Sequence, residues 1–370
     1  VSTIGYEIAD TAVARLIMRD STLFTVRPGD LFDRNRLDEE RVLITDRLRG
    51  NGYYAFNKEY ITFIADTSAM STLTMQVRPP RRGADWRDNT KENMHRIYRI
   101  RDIYFVTDYR PGEGMENFNF HASDTVRYQD ITILYGADHY LKPQVLYENC
   151  FIERGDIYRT AQFDRTYEAL GRLGILKSVN ISLRPAGDFD GCTWMDAYVL
   201  LTRGKKQGVT FELEGTNSEG DLGFGVGLTY QHRNLAKGSE LLTAKLRTSY
   251  ESLSGNLDGL INDRYTEYAG EVGITFPKFK APLLSRNFKR KVRATSEFAV
   301  SFNYQERPEY TRIIAGAGWK YKWGDRQNSV RRTFDLVDIN YVYLPQRTVD
   351  FLNQIAPTNP LLRYSYEDHF

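Results

Sequence analysis

Residues 222–230 read Leu222-Gly223-Phe224-Gly225-Val226-Gly227-Leu228-Thr229-Tyr230, and this pattern predicts the fold of the second half of the chain. Successive side chains of a pleated strand point to opposite faces, so the apolar residues of this stretch share one face and the glycines share the other. The same period of two recurs from about residue 208 to about residue 344. Repeated strands with one apolar and one polar face are typical of a transmembrane β-barrel, which meets lipid outside and water inside.

Seven strands are predicted in this half, and their polar faces carry charges such as Glu212, Lys245 and Arg247. A soluble sandwich also alternates, but its strands usually hold about 5–6 residues. Several strands predicted here are about twice that long, which matches a tilted membrane span of about 9–11 residues. A barrel is therefore favoured over a sandwich. The approximate ranges are 208–215, 222–232, 239–252, 264–276, 291–305, 309–323 and 332–344.

Composition limits the function classes. The chain has 50 Lys+Arg against 48 Asp+Glu, a balance that gives no field indicating nucleic-acid binding. There is no run of about 18 apolar residues, so no membrane-spanning helix is predicted. The 25 Tyr and 20 Phe fit aromatic girdles at two lipid interfaces. Cys150 and Cys192 fall in one predicted module, and the sequence leaves open whether they pair.

The first 204 residues contain an internal repeat. The loop Val26-Arg27-Pro28-Gly29-Asp30-Leu31-Phe32 is similar to Ile152-Glu153-Arg154-Gly155-Asp156-Ile157-Tyr158. Each loop precedes an amphipathic helix that ends at glycines, and a two-strand hairpin follows each helix. A strand and a short helix precede each loop, so the predicted order is β-α-α-β-β, twice. Acids such as Glu40, on the amphipathic helix that follows the first loop, are expected on the solvated face of that helix.

This order, together with the Gly-Asp-x-aromatic loop, resembles the POTRA module of the Omp85 superfamily. The resemblance covers residues 1–80 and 95–204, with 81–94 as a linker and 110–124 as an inserted loop. An unrelated pair of ferredoxin-like modules is the alternative. The resemblance implies α+β POTRA repeats followed, over 208–370, by part of an antiparallel transmembrane β-barrel. The chain would supply about seven or eight of the sixteen strands.

The entry to the barrel carries the most specific resemblance. The glycine-rich strand runs into a turn that is similar to the first hairpin of the Omp85 surface-antigen barrel. The residues of this barrel-entry motif are Arg233, Asn234, Leu235, Gly238 and Glu240. The likeness favours the BamA-like or TamA-like assembly branch, including the lipoprotein variety of Bacteroidetes. We expect the chain to be a piece of a longer protein, with an eighth strand starting near residue 362.

No catalytic residue, cofactor site or metal site is predicted. Residues 223–227 match the Rossmann glycine fingerprint poorly, because Leu228 takes the third glycine position and no helix follows. The five histidines lack metal-ligand spacing, and no nucleophile elbow is present. A basic turn is predicted at the membrane surface, where it could contact anionic lipid. Its residues are Arg286, Lys289, Arg290 and Lys291.

The resemblance implies a function in the bacterial outer membrane, with the POTRA-like modules in the periplasm. An unfolded outer-membrane client presents unpaired backbone groups that cannot enter hydrocarbon unsatisfied. We therefore hypothesise that the protein assists insertion or translocation of such clients, without nucleotide, by pairing them with module edges and the first barrel strand. Outer-membrane lipid and accessory proteins of the periplasm or inner membrane are the further expected partners. The residues of this first strand, which would flank the closure seam, are Gly208, Val209, Thr210, Phe211, Glu212, Leu213, Glu214 and Gly215.

Two alternatives remain open from the sequence. The first is a two-partner-secretion transporter, which would export one dedicated polypeptide through the lumen. The second is a barrel that anchors an enzyme whose catalytic domain lies outside these residues.

Overall fold

The structure is a computed structural model of the 370-residue chain. The residues that it describes are 1–19, 24–66, 72–80, 94–112, 120, 122–189, 191–218, 221–252, 264–281, 284–285, 288–289, 292, 294–308, 310–324 and 330–347. Three of the four residues of the predicted basic turn, the start of the eighth strand and nearly all of the predicted linker lie outside these ranges.

The first module has a three-stranded sheet and two helices. Its elements are β1 (Thr3–Ile8), α1 (Thr11–Arg19), α2 (Arg34–Gly50), β2 (Ile61–Asp66) and β3 (Thr72–Val77). The sheet order is β1-β3-β2, with β1 parallel and β2 antiparallel to β3. Both helices begin at an aspartate, because the Asp10 carboxylate accepts from the Val13 N–H (3.1 Å) and that of Asp33 from the Asn35 N–H (2.8 Å).

The core of this module lies between the helices and one face of the sheet. Burial of each large apolar side chain stabilises the module by about 1.5–3 kcal/mol relative to exposure. Its buried members are Val13, Ile17, Phe24, Ile44, Leu48, Tyr53, Phe56, Ile61, Met75 and Val77.

The second module repeats this order with an addition. Its elements are β4 (Ile97–Val106), β5 (Asp124–Tyr128), β6 (Ile131–Tyr135), α3 (Pro143–Glu148), α4 (Thr160–Gly171), β7 (Leu176–Phe189) and β8 (Cys192–Arg203). The sheet order is β5-β6-β4-β8-β7. The predicted β-α-α-β-β order is therefore incomplete here, because the hairpin β5–β6 is inserted and β6 pairs in parallel with β4. Cys150 and Cys192, both among the described residues, do not form a disulfide with each other, and Cys150 is buried.

The two modules meet at an aromatic contact. The ring centroid of Tyr54 lies 5.6 Å from that of Tyr98 and 5.0 Å from that of Tyr158. Gly52 adopts a φ of 104°, and its carbonyl accepts from the Tyr98 N–H at 2.9 Å. A Cβ at Gly52 would lie 2.5 Å from a methyl carbon of Ile157, so this position requires glycine for both conformation and space.

The second half of the chain is a seven-stranded antiparallel meander, as the sequence predicts. Its strands are β9 (Gln207–Ser218), β10 (Asp221–His232), β11 (Leu241–Ser252), β12 (Arg264–Phe276), β13 (Thr295–Glu306), β14 (Tyr310–Gly324) and β15 (Arg331–Arg347). Each strand pairs with its sequence neighbour, and β9 and β15 form the two edges. Among the described strands the sheet is therefore open, and it fits part of a barrel.

The register places apolar residues in rows on one face and polar residues in rows on the other. Directly paired residues on neighbouring antiparallel strands point to the same face. One row across the seven strands consists of Phe211, Leu228, Leu246, Gly270, Phe302, Ala315 and Tyr341. A row on the opposite face consists of Thr210, Thr229, Lys245, Glu271, Ser301, Gly316 and Asn340. The predicted division into an apolar and a charged face is confirmed.

Contacts divide the chain into two compact units. The first unit comprises Val1–Asp138, Leu146–Leu170 and Val179–Thr202, and the second comprises His139–Val145, Gly171–Ser178 and Arg203–Phe370. The second unit thus contains two short segments of the second module together with the meander. Within the described ranges, no helix has the length and apolar character needed to cross a membrane.

Candidate functional site

The first strand of the meander has one free edge. Among the described strands, β9 pairs with β10 alone, so its other side presents backbone N–H and C=O groups without a strand partner. The predicted strand ended at Gly215, but the observed strand continues to Ser218, with Gly215 paired to Phe224. A single glycine weakens a strand without ending it, and here the ladder on both sides of Gly215 maintains the pairing.

Both faces of β9 are exposed, and they differ in chemistry. Val209, Phe211 and Leu213 are 67%, 62% and 74% exposed. Thr210, Glu212 and Glu214 alternate with them and point to the polar face. This edge can therefore accept a strand whose side chains are apolar on one face and polar on the other.

The polar face of the sheet is a network of opposite charges. Lys245 Nζ lies 3.2 Å from Glu271 Oε2 on the neighbouring strand, and Arg247 Nη2 lies 2.7 Å from Glu214 Oε2. Asn303 donates to Glu267 at 2.6 Å. Paired charges of this kind are compatible with water on this face. Where water is excluded, the opposite charges neutralise one another.

The barrel-entry motif folds into the turn between β10 and β11. The Glu240 carboxylate accepts from the N–H groups of Ala236 and Gly238, each at 3.0 Å. A Cβ at Gly238 would lie 2.2 Å from a Glu240 carboxylate oxygen, so a side chain at this position would displace the carboxylate from its N–H donors. Lys237 and Ser239 both adopt a φ of 59°, which makes the turn unusually tight for residues with side chains.

Opposing effects set the pKa of Glu240. Burial raises this pKa, but N–H donors from Glu240 itself, Ala236 and Gly238, together with the charge of Lys142, lower it by more. The net pKa lies below the usual glutamate range, so Glu240 is a carboxylate at neutral pH.

Asn234 connects the turn to another segment of the same unit. Its side chain is buried, its Oδ1 accepts from the Ser239 N–H at 2.9 Å, and its Nδ2 donates to the Tyr140 carbonyl at 2.6 Å. The Lys142 N–H donates to the Lys237 carbonyl at 3.0 Å. The turn is thus held to residues 139–145 by direct hydrogen bonds.

Two further contacts complete this network. Ser239 Oγ accepts from the Ile175 N–H at 3.3 Å, and the Arg233 N–H donates to the Lys206 carbonyl at 2.8 Å. Leu235 takes part through its N–H, which donates to the Glu240 carbonyl at 3.3 Å, while its residue as a whole is 47% exposed. The five motif residues therefore all contribute to the turn, and the Leu235 side chain faces outward.

Some members of this network were missed from the sequence. Tyr140 and Ile175 take part through backbone atoms that lie far from the motif in sequence, and no sequence signal identifies such partners. Ser239 lies inside the motif, and its position between Gly238 and Glu240 was the one available signal. Of the predicted basic turn, only Lys289 is among the described residues. No cluster of three or more metal-ligating side chains occurs in the described part of the chain.

No protein-family model matches the chain, and no curated protein matches it either. Several solved structures are similar to it. The crystal structure of BamA from Haemophilus ducreyi lacking POTRA domains 1–3 is 12% identical, with a TM-score of 0.42, over 93% of this chain and 63% of that one. CdiB from Acinetobacter baumannii is 9% identical, with a TM-score of 0.33, over 93% of this chain and 57% of that one. Haemophilus influenzae BamA POTRA3–5 is 16% identical, with a TM-score of 0.29, over 54% of this chain and 59% of that one.

The element order decides the fold type. Modules with two helices on a mixed sheet precede an antiparallel meander with one apolar and one charged face. This is the fold class that the sequence implies, α+β modules followed by part of an antiparallel barrel. It spans less than two thirds of the length of the solved structures named above.

Proposed function

We propose that this chain is part of an Omp85-type protein of the bacterial outer membrane that assists insertion or translocation of outer-membrane clients. The POTRA-like modules would lie in the periplasm, and the apolar rows of the meander would face lipid. The observation that carries the proposal is the chemistry of β9, a twelve-residue strand with one apolar and one acidic face that stands last in the strand order of the described sheet.

The physical reason is the cost of unpaired backbone in hydrocarbon. Each unsatisfied N–H or C=O group costs several kcal/mol there, so a client strand needs a backbone partner before it enters the membrane. The edge of β9 offers such partners over the length of a membrane span. Its apolar side chains would continue on the lipid side, and its acidic side chains on the hydrated side.

The second module offers another edge. In the order β5-β6-β4-β8-β7, β7 is an edge strand of fourteen residues. Extended peptides add to exposed sheet edges by main-chain hydrogen bonds, and side-chain pockets supply the specificity. We propose that a client passes from an edge of this kind to β9, driven by strand pairing and folding without nucleotide.

Two adjacent proline substitutions test the role of β9. N–H groups of successive residues point to opposite sides of a strand, so one of Phe211→Pro and Glu212→Pro removes a donor from the free edge, and the other removes a donor paired with β10. We expect the edge variant to remain folded in the membrane and to lose client assembly. Client assembly at the wild-type rate in cells that display both variants would contradict the template role.

A second function, export of a dedicated polypeptide, is favoured by the charged face of the sheet. A lumen lined by paired charges such as Lys245 and Glu271 would keep a hydrated path open. Export would persist when β9 pairing is blocked, whereas insertion would stop, so the proline variants also separate these two functions.

A further inference from the structure

One ion pair on the polar face joins the first and third strands of the meander across the second. Arg247 on β11 reaches Glu214 on β9, with 2.7 Å between Nη2 and Oε2. Neighbouring strands lie about 4.8 Å apart, so these two side chains span about 10 Å between their backbones. Such a reach requires that no side chain of the middle strand stands between them.

Glycines of β10 provide that space. Gly225 is paired with Glu214, and Gly227 is paired with both Glu212 and Arg247. A Cβ at Gly225 would lie 3.6 Å from the Cβ and 3.7 Å from Oε2 of Glu214. A Cβ at Gly227 would lie 3.3 Å from Oε2 of Glu212. The acidic side chains of β9 therefore lean over the glycine strand, where Arg247 meets one of them.

The other ion pairs described on this face join neighbouring strands. Lys245–Glu271 joins β11 to β12, Lys322–Glu297 joins β13 to β14, and Lys320–Asp335 joins β14 to β15. These pairs add to ladders that backbone hydrogen bonds already hold. The Arg247–Glu214 pair differs, because it ties the edge strand to the sheet independently of the β9–β10 ladder.

We propose that Arg247 is a positioning residue that holds the edge strand β9 to the sheet through its ion pair with Glu214. This ion pair is called the brace below. The glycines of β10 leave the space that the two side chains need to meet. The brace resists separation of β9 from β10. Both side chains are more than half exposed, so the interaction is weak and is screened by salt. The inference rests on the proposed function only for the use of β9 as the pairing edge.

Hydrogen exchange of residues 207–218 in the full-length protein, reconstituted in lipid nanodiscs, measures the brace directly. We expect Arg247→Gln to speed exchange there by about two- to fivefold, as for loss of an exposed ion pair. The matched control Lys245→Gln breaks a pair between neighbouring strands and should leave residues 207–218 unchanged. Gly225→Val should act like Arg247→Gln, because its side chain blocks the crossing.

Charge reversal separates a brace from a general packing effect. The double variant Glu214→Arg with Arg247→Glu should restore slow exchange, and Arg247→Lys should restore part of it. High salt should bring the wild type to the level of Arg247→Gln and leave that variant unaffected. The proposal is overturned if Arg247→Gln matches Lys245→Gln, or if the reversed pair exchanges as fast as Arg247→Gln.

Client assembly, measured on the same variants, distinguishes failure of the brace from failure of the proposed function. Faster exchange in Arg247→Gln with unchanged client assembly would support the brace and contradict the role of β9 in assembly. Unchanged exchange with impaired assembly would overturn the brace. If Arg247→Gln does not fold, Arg247→Lys and the salt titration of the wild type decide the question.

Discussion

Replacing Asn234 by alanine tests whether the barrel-entry turn is held by its buried amide. Asn234 is 2% exposed and makes two hydrogen bonds, to the Ser239 N–H at 2.9 Å and to the Tyr140 carbonyl at 2.6 Å. The variant would remove both hydrogen bonds from a buried site. Each loss costs about 1–3 kcal/mol, so we expect a loss of about 2–6 kcal/mol in the local stability of the turn and of residues 139–145.

Hydrogen exchange in the full-length protein measures this loss where it occurs. A loss of about 2–6 kcal/mol corresponds to exchange roughly thirtyfold or more faster in residues 139–145, up to the limit set by global opening. Leu235→Ala is the matched control, since Leu235 lies in the same turn but is exposed, and its effect should stay within about 0.5 kcal/mol. Equal exchange in the two variants would refute the reasoning.

Three further predictions concern the turn and the junction between the modules. Gly52→Ala should destabilise the junction by about 2–4 kcal/mol in denaturant unfolding, because Gly52 has a positive φ and a new Cβ would lie close to Ile157. The control Gly50→Ala should be neutral or slightly stabilising, because there is open space around Gly50. The lowered pKa of Glu240 means that its contribution to stability is present above the ordinary glutamate pKa and is lost as the pH falls through the lowered value. Protection of the turn should therefore decrease in acid, and Glu240→Gln should lack this decrease. Burial lowers the pKa of His95, and the contact with the Arg78 carbonyl and the charge of Asp10 oppose this effect only in part. Because the unfolded chain then binds the proton more tightly than the folded one, the stability of the junction should fall as the pH drops below about 6.5. His95→Phe should remove that dependence, and denaturant midpoints at pH 7 and pH 5 would detect it.

The meander was predictable because its information is local. Each strand repeats its apolar residues with a period of two, and a one-residue error in register would turn every side chain to the wrong face. The alternation around Phe224 and Val226 thus determines both the strand and the direction of its side chains. The end of β9 was harder to predict, since Gly215 is a breaker in isolation but is held in the strand by its pairing with Phe224.

Features that depend on distant contacts were not predictable. The inserted hairpin β5–β6 was missed, although Ile131 and Ile133 are buried beside β4, because its strands are short and have only five residues each. Glu40 was expected in solvent, but it is 3% exposed. Its carboxylate accepts from the Thr25 N–H at 2.6 Å and from the Thr25 hydroxyl at 2.5 Å. The burial of Glu40 is due to the segment around Thr25, which lies over the helix. The periodicity of the helix sequence gives no information about this contact.

The internal repeat shows where local sequence stops being sufficient. In both copies the Gly-Asp loop makes the same backbone bonds, with Gly29 N–H to the Val1 carbonyl at 2.8 Å and Gly155 N–H to the Ile100 carbonyl at 2.7 Å. The aromatic residue that follows differs in environment, since Tyr158 is 7% exposed and Phe32 is 62% exposed. The Tyr158 ring packs against Tyr54 of the first module, at 5.0 Å between centroids, and against Phe163 of its own module, at 4.8 Å. The motif therefore determines the loop conformation in each copy, while the burial of its aromatic side chain is determined by the surface that meets it.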